Sequence, residues 1–203
     1  MARFGISAII THYETPMTKS ISMYYASAPV FIRMLGNLRA ILEKGAAHAT
    51  AKKFDAAVLV QSRLAPDMFA LTRQVQIATD AAKGCVSRLA GVEIPKYEDT
   101  EVTMADLLAR IDKTIAYVKT FKPEQIDGSE EKAITIKTPT REMNFNGQQF
   151  LPNLALPNLF FHITTTYNIL RTNGRKVGKM DTRGAGARRQ SGGDGGRQAR
   201  PEG

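Results

Sequence analysis

Apolar positions recur with a helical period through most of this chain. From Ile21 to about His48 they fall at Tyr24, Ala28, Phe31, Leu35, Leu38 and Leu42, which is one face of a helix. Pro29 lies near the start and predicts either kinked first turns or a regular helix that begins close to it. Asp55 to Leu64 predicts a short helical turn. A second long helix is expected to open at Pro66, since proline is favoured in a first turn, and to run to about Leu89 before Gly91. Its inward stripe is Leu71, Val75, Ala78, Ala82, Cys85 and Leu89. A third helix is predicted from Thr103, with Asp106 three residues on as a capping partner. It carries Met104, Leu107, Leu108, Ile111, Ile115 and Val118 inward and ends before Lys122-Pro123.

The period then changes. Ala133 to Lys137 alternates apolar with polar, Thr138-Pro139-Thr140 turns, and Met143 and Phe145 alternate again, which predicts a small β-hairpin. Asn146 and Gln149 have the spacing of a cap and its reciprocal partner at the head of a fourth helix. Within it Pro152 and Pro157 each remove a backbone hydrogen bond, so a kink is expected between Asn153 and Asn158. The stretch Leu151 to Arg171 is apolar on nearly every side, which predicts a buried helix. One core need not cover such a helix, so a homodimer is expected. Arg171-Thr172-Asn173-Gly174 reads as its C-terminus, with Asn-Gly suited to a left-handed cap.

Composition narrows the class. At 203 residues, 43% hydrophobic and 23% charged, the chain suits one soluble domain, and no apolar run nears the roughly 20 residues of a membrane span. A single cysteine, Cys85, excludes an internal disulfide and fits a reducing, cytoplasmic setting. The net charge of +9 suggests nucleic acid, but from Arg171 onward nine Lys/Arg stand against three Asp/Glu. The charge thus belongs mainly to the tail, and nucleic-acid binding reduces to a non-specific, salt-sensitive contact of that tail. After Asp181 the Gly/Arg-rich sequence has no apolar periodicity, so residues 182–203 are expected to be disordered. Residues 1–16 are expected to be a disordered extension that precedes a natural start at Met17, and 17–181 the helical domain.

The candidate chemistry centres on His162. Asn158, four residues earlier, shares its helix face. On the second helix Asp67 and Gln74 are seven apart and point in nearly the same direction. If the two helices are neighbours, these four side chains line one polar pocket. Two readings stay open: a metal or general-base site in which Asp67 orients the imidazole, or a hydrogen-bonded cluster that pins helix register. Tyr24 could donate to a ligand, although its position fits packing equally well. The three histidines His12, His48 and His162 lack two-histidine helical spacing, so no metal centre is expected; Asp67 and Asn158 complete at best a weak divalent oxygen site. Cys85, on the core stripe without a neighbouring cation, reads as a small hydrophobe.

Three segments, ISMYYASAPVFIRMLGNL, RLAPDMFALTRQVQIATDAAKG and ALPNLFFHITTTYNILRTNG, resemble an uncharacterised bacterial and fungal family of the DinB/YfiT-like superfamily. The resemblance spans about Thr18 to Asp181. It implies an all-α, up-down-down-up four-helix bundle, often dimeric, with the hairpin before the last helix. Many members of the superfamily hold a divalent metal through a histidine on the second helix and an HxxxH on the fourth, and some are thiol-dependent transferases or isomerases. Here the HxxxH corresponds to Asn158-x3-His162, and the other histidine falls near Asp67. One ligand of three survives, which places metal-dependent thiol transfer in doubt. The expectation that results is a small-molecule-binding homodimer whose catalytic residues, if it is an enzyme, are His162 and Asp67, with Gln74, Asn158 and Tyr24 as ligand contacts.

Overall fold

The computed structural model describes residues 21–138, 140–174 and 177–184. The segment before Ile21 and nearly all of the Gly/Arg-rich tail lie outside the described residues, and with them the expectations for both. In chain order come α1 (Met23–Lys52), α2 (Ala57–Gln61), α3 (Leu71–Ala90), α4 (Met104–Lys119) and α5 (Pro123–Ile126). They are followed by β1 (Ala133–Lys137), β2 (Glu142–Asn146), α6 (Gly147–Phe150), a π-helical turn (Leu151–Ala155), α7 (Leu156–Thr172) and α8 (Lys179–Arg183).

The caps explain most boundaries. Ser22 accepts from the Tyr25 amide, so α1 starts at Met23 and runs unbroken through Pro29. Thr103 and Asp106 form the expected reciprocal cap of α4, as do Asn146 and Gln149 at α6. The second long helix corrects the sequence reading: it starts at Leu71, five residues after Pro66. Residues 62–70 fold back instead, with the Leu71 amide donating to the Ser62 carbonyl (2.9 Å) and Thr72 Oγ1 to the Val60 carbonyl (3.0 Å). The expected kink at Pro152 and Pro157 takes the form of the π turn. The Leu156 amide reaches the Leu151 carbonyl five residues back, and the widened turn absorbs backbone that proline cannot pair.

Phe31, Leu35, Leu38, Leu71, Val75, Leu107, Ile111 and Leu159 are fully buried and form one core; each such side chain contributes about 1.5–3 kcal/mol relative to exposure. Cross-contacts set the helix directions. Gln74 meets His162 and Arg88 faces Phe150, so α3 and α7 are antiparallel. Thr79 meets Arg110 and Ser87 meets Tyr117, so α3 and α4 are parallel. Arg39 meets Asp112 while Tyr24 meets Asp127, so α1 opposes α4. Gly45 lies against Leu170 and Gly174 near His48, so α1 and α7 are parallel.

Parallel α3 and α4 demand a long return. Residues 91–103 supply it: thirteen extended residues reach roughly 43 Å, and twenty helical residues occupy about 30 Å. This strap covers the polar side of α3, which is why Gln76, Thr79, Lys83 and Ser87 are buried. Arg110 anchors it. Its guanidinium donates to Thr79 Oγ1 (2.8 Å), Asp80 (2.9 Å), Glu101 (2.9 Å) and the Glu98 carbonyl (3.1 Å). Tyr97 of the strap lies under the cations of Lys83, Lys113 and Arg110.

The hairpin pairs Ile134 with Phe145 and Ile136 with Met143, as the alternation predicts. Ile134 enters the core. Behind it the loop at Ser129 presses on α6: a Cβ at Gly147 would stand 2.0 Å from the Ser129 carbonyl oxygen, so only glycine fits. At the C-terminal end, Asn37 donates to the Thr182 carbonyl (2.9 Å) and Lys44 pairs with Asp181, which carries ordered helix to Arg183.

Candidate functional site

The folded-back loop before α3 positions the site. It holds the Phe69 carbonyl over the first turn of α3, where Gln74 Nε2 donates to it at 3.0 Å. With its NH2 group committed there, the Gln74 amide turns Oε1 toward α7, 2.7 Å from Nδ1 of His162. An amide oxygen only accepts, so Nδ1 carries the proton. In the neutral ring Nε2 is then the free acceptor, and no hydrogen bond to it forms among the described residues. Burial lowers the His162 pKa from its ordinary value of 6.5, and the cation of Arg73 lowers it further. Arg73 is itself held by Asp99 at 2.5 Å.

Asp67, Met68, Phe69, Gln74, Phe161 and His162 enclose a pocket of about 220 Å³. Phe161 meets the imidazole edge-on, with centroids 5.1 Å apart. Phe69 and Phe161 remain 58% and 56% exposed, so the pocket has an aromatic rim. This corrects the expectation of a helix buried all round: α7 buries Leu159, His162, Ile163, Thr165, Thr166, Ile169 and Leu170, and turns Phe160 and Phe161 outward.

The predicted residues separate. Gln74 and His162 are in contact. Asp67 reaches the same pocket from the loop, not from the helix; it is exposed, and Gln74 occupies the ring nitrogen that Asp67 was expected to orient. Asn158 lines a different pocket, with Asp80 and Arg88. Tyr24 lines neither pocket: its amide donates to Asp127 Oδ1 (2.8 Å) and its ring packs edge-on against Tyr25. The sequence reading missed Phe69, whose carbonyl orders the amide, and Arg88. Neither has a spacing signal, because both act through a neighbouring element.

The residues do not fit a three-ligand metal centre. Nδ1 of His162 is taken by an amide oxygen, Asn158 lines the other pocket, and Asp67 makes no hydrogen bond to the ring. Among the described residues no group of three or more His, Cys, Asp or Glu side chains is arranged to hold a metal ion. Cys85 is fully buried on α3, and burial pushes its thiol well above the usual range. No helix among the described residues is long and apolar enough to cross a membrane.

The chain is thus mostly helical, with a two-stranded hairpin before its last long helix and a polar pair between α3 and α7. The family model for DUF1993, a domain of unknown function, matches residues 23–182, and the chain belongs to that family. It is also similar to the crystal structure of a DinB family member protein from Shewanella denitrificans. The two are 44% identical with a TM-score of 0.74, over 80% of this chain and 92% of that one. No curated protein matches the chain.

Proposed function

We propose that this DUF1993 protein is an up-down-down-up four-helix bundle, built from α1, α3, α4 and α7, that binds a small molecule at His162 as a homodimer. The Phe69–Gln74–His162 relay carries the reading. It fixes the tautomer and leaves Nε2 as an acceptor in a pocket with an aromatic rim, while burial and the Arg73 cation favour the neutral ring. A ligand with a hydrogen-bond donor for Nε2 and a flat apolar part for Phe69 and Phe161 meets both features. If a reaction takes place there, Nε2 receives the proton and the Gln74 oxygen supports the imidazolium that forms. Asp67, at the pocket edge, attracts a cationic substituent. No resident metal enters this scheme.

A thermal-shift screen of thiols, amines and alcohols against wild type and His162→Ala tests the reading. Compounds that stabilise wild type should lose their shift in the variant. Equal shifts in both proteins would place binding elsewhere and end the proposal.

A further inference from the structure

A second pocket lies on the same α3–α7 seam, nearer the hairpin, and has a different chemistry. It measures about 340 Å³, with Ile77, Ile136, Met143, Phe150 and Leu154 giving it apolar walls. Arg88 of α3 and Arg141 of the hairpin also line it. Arg88 is half-buried. Its Nη1 donates to the Gly84 carbonyl of its own helix (3.0 Å), and its guanidinium lies 6.0 Å from the centre of the Phe150 ring. Among the described residues neither arginine forms a salt bridge. The one carboxylate on the wall, Asp80, is already held by Lys83 and Arg110, each at 2.9 Å.

A guanidinium has five N–H donors in a fork that matches a carboxylate. Arg88 commits one of them to its own helix and is partly withdrawn from water, at a cost visible in its pKa, which burial lowers. Gly84 leaves room for this placement. A Cβ there would stand 2.5 Å from Arg88 Nη1, so this mid-helix glycine, which costs about 0.5–1 kcal/mol relative to alanine, makes the space in which the side chain folds back.

We infer that this pocket binds a small organic monocarboxylate, its carboxylate on the Arg88 guanidinium with Arg141 at the entrance, and its apolar body against Ile77, Phe150 and Leu154. A free inorganic anion satisfies the arginines but leaves the apolar walls wet. A neutral apolar molecule does the reverse. The site is separate from the His162 pocket: Asn158 lines this one and His162 the other.

Calorimetric titration of the full chain with 4-phenylbutyrate and with its neutral amide, 4-phenylbutyramide, is the test. A charge-assisted hydrogen bond gives the acid an advantage of about tenfold or more in wild type. Arg88→Met should abolish that advantage while leaving the amide's affinity nearly unchanged. Gly84→Ala keeps the arginine and displaces only the far end of a flexible side chain, so it should weaken the acid selectively in a protein that still melts cooperatively. It keeps the test decisive if Arg88→Met does not fold. His162→Ala should leave acid binding intact. The proposal is overturned if wild type binds neither probe, if acid and amide bind wild type equally, if the acid's advantage survives Gly84→Ala, or if His162→Ala abolishes it.

Discussion

Gln74 decides where the proton on His162 resides, and it does so because a backbone carbonyl decides which way Gln74 faces. The consequence for pH follows from the depressed imidazole pKa. The folded protein binds fewer protons at this site than the unfolded chain, so its contribution is complete above the ordinary value of 6.5 and is lost as pH falls below it. Urea midpoints at about pH 8 and about pH 5.5 should therefore fall further in wild type than in His162→Gln; equal falls would refute the linkage. The sequence made this pair partly legible. Residue 74 lies on the apolar stripe of α3 through Leu71, and residue 162 sits among apolar neighbours where an imidazole needs a partner. The role of Asp67 was not legible, because it rested on a helix start five residues too early. Asn158 was misplaced for a related reason: a shared helix face brings two residues to the same side of α7, but one turn along it the neighbouring elements already differ.

At the scale of elements, the strap between α3 and α4 has a buried cation, Arg110, as its anchor, with the Arg73–Asp99 pair beside it. Arg110 is 4% exposed and draws together Asp80 of α3 with Glu98, Asp99 and Glu101 of the strap. Arg110→Met removes the cation shared by Asp80, Asp99 and Glu101, of which Asp80 keeps Lys83 and Asp99 keeps Arg73, and should cost about 3 kcal/mol. The figure lies at the low end for a buried ion because Asp80 and Asp99 retain about 40% exposure. Arg110→Lys should recover little, since one ammonium cannot span partners on two elements. Equilibrium urea unfolding checks both, and a loss below about 1 kcal/mol, the range of surface pairs, would show the cluster to be peripheral. Element type was readable wherever a cap and a period agreed, as at Thr103-Asp106 and in the hairpin. It failed at Pro66, where proline serves a turn, and the two prolines of the last helix gave the place of the irregularity without its form.

At the scale of the molecule, the aromatic rim bears on assembly. Phe69 and Phe161 are exposed at the His162 pocket, while Phe160 is exposed on the side of α7 that faces Arg33 and Thr182. The proposed homodimer covers the rim, so light scattering should give a mass near twice 22.3 kDa, and Phe161→Glu should shift the protein toward the monomer. A wild-type monomer at micromolar concentration would remove the dimer from the reading. The resemblance of three segments located the family. The helix directions could not be read from any one stripe, because direction depends on which residues meet across elements. The returning strap also has a consequence in time. Its anchor, Arg110, finds its acceptors only once α3 and α4 already lie side by side; until then water serves all of these charges. The ion cluster therefore contributes little to how quickly the chain reaches its native state and much to how long it stays there, since the strap must lift before the two parallel helices can part.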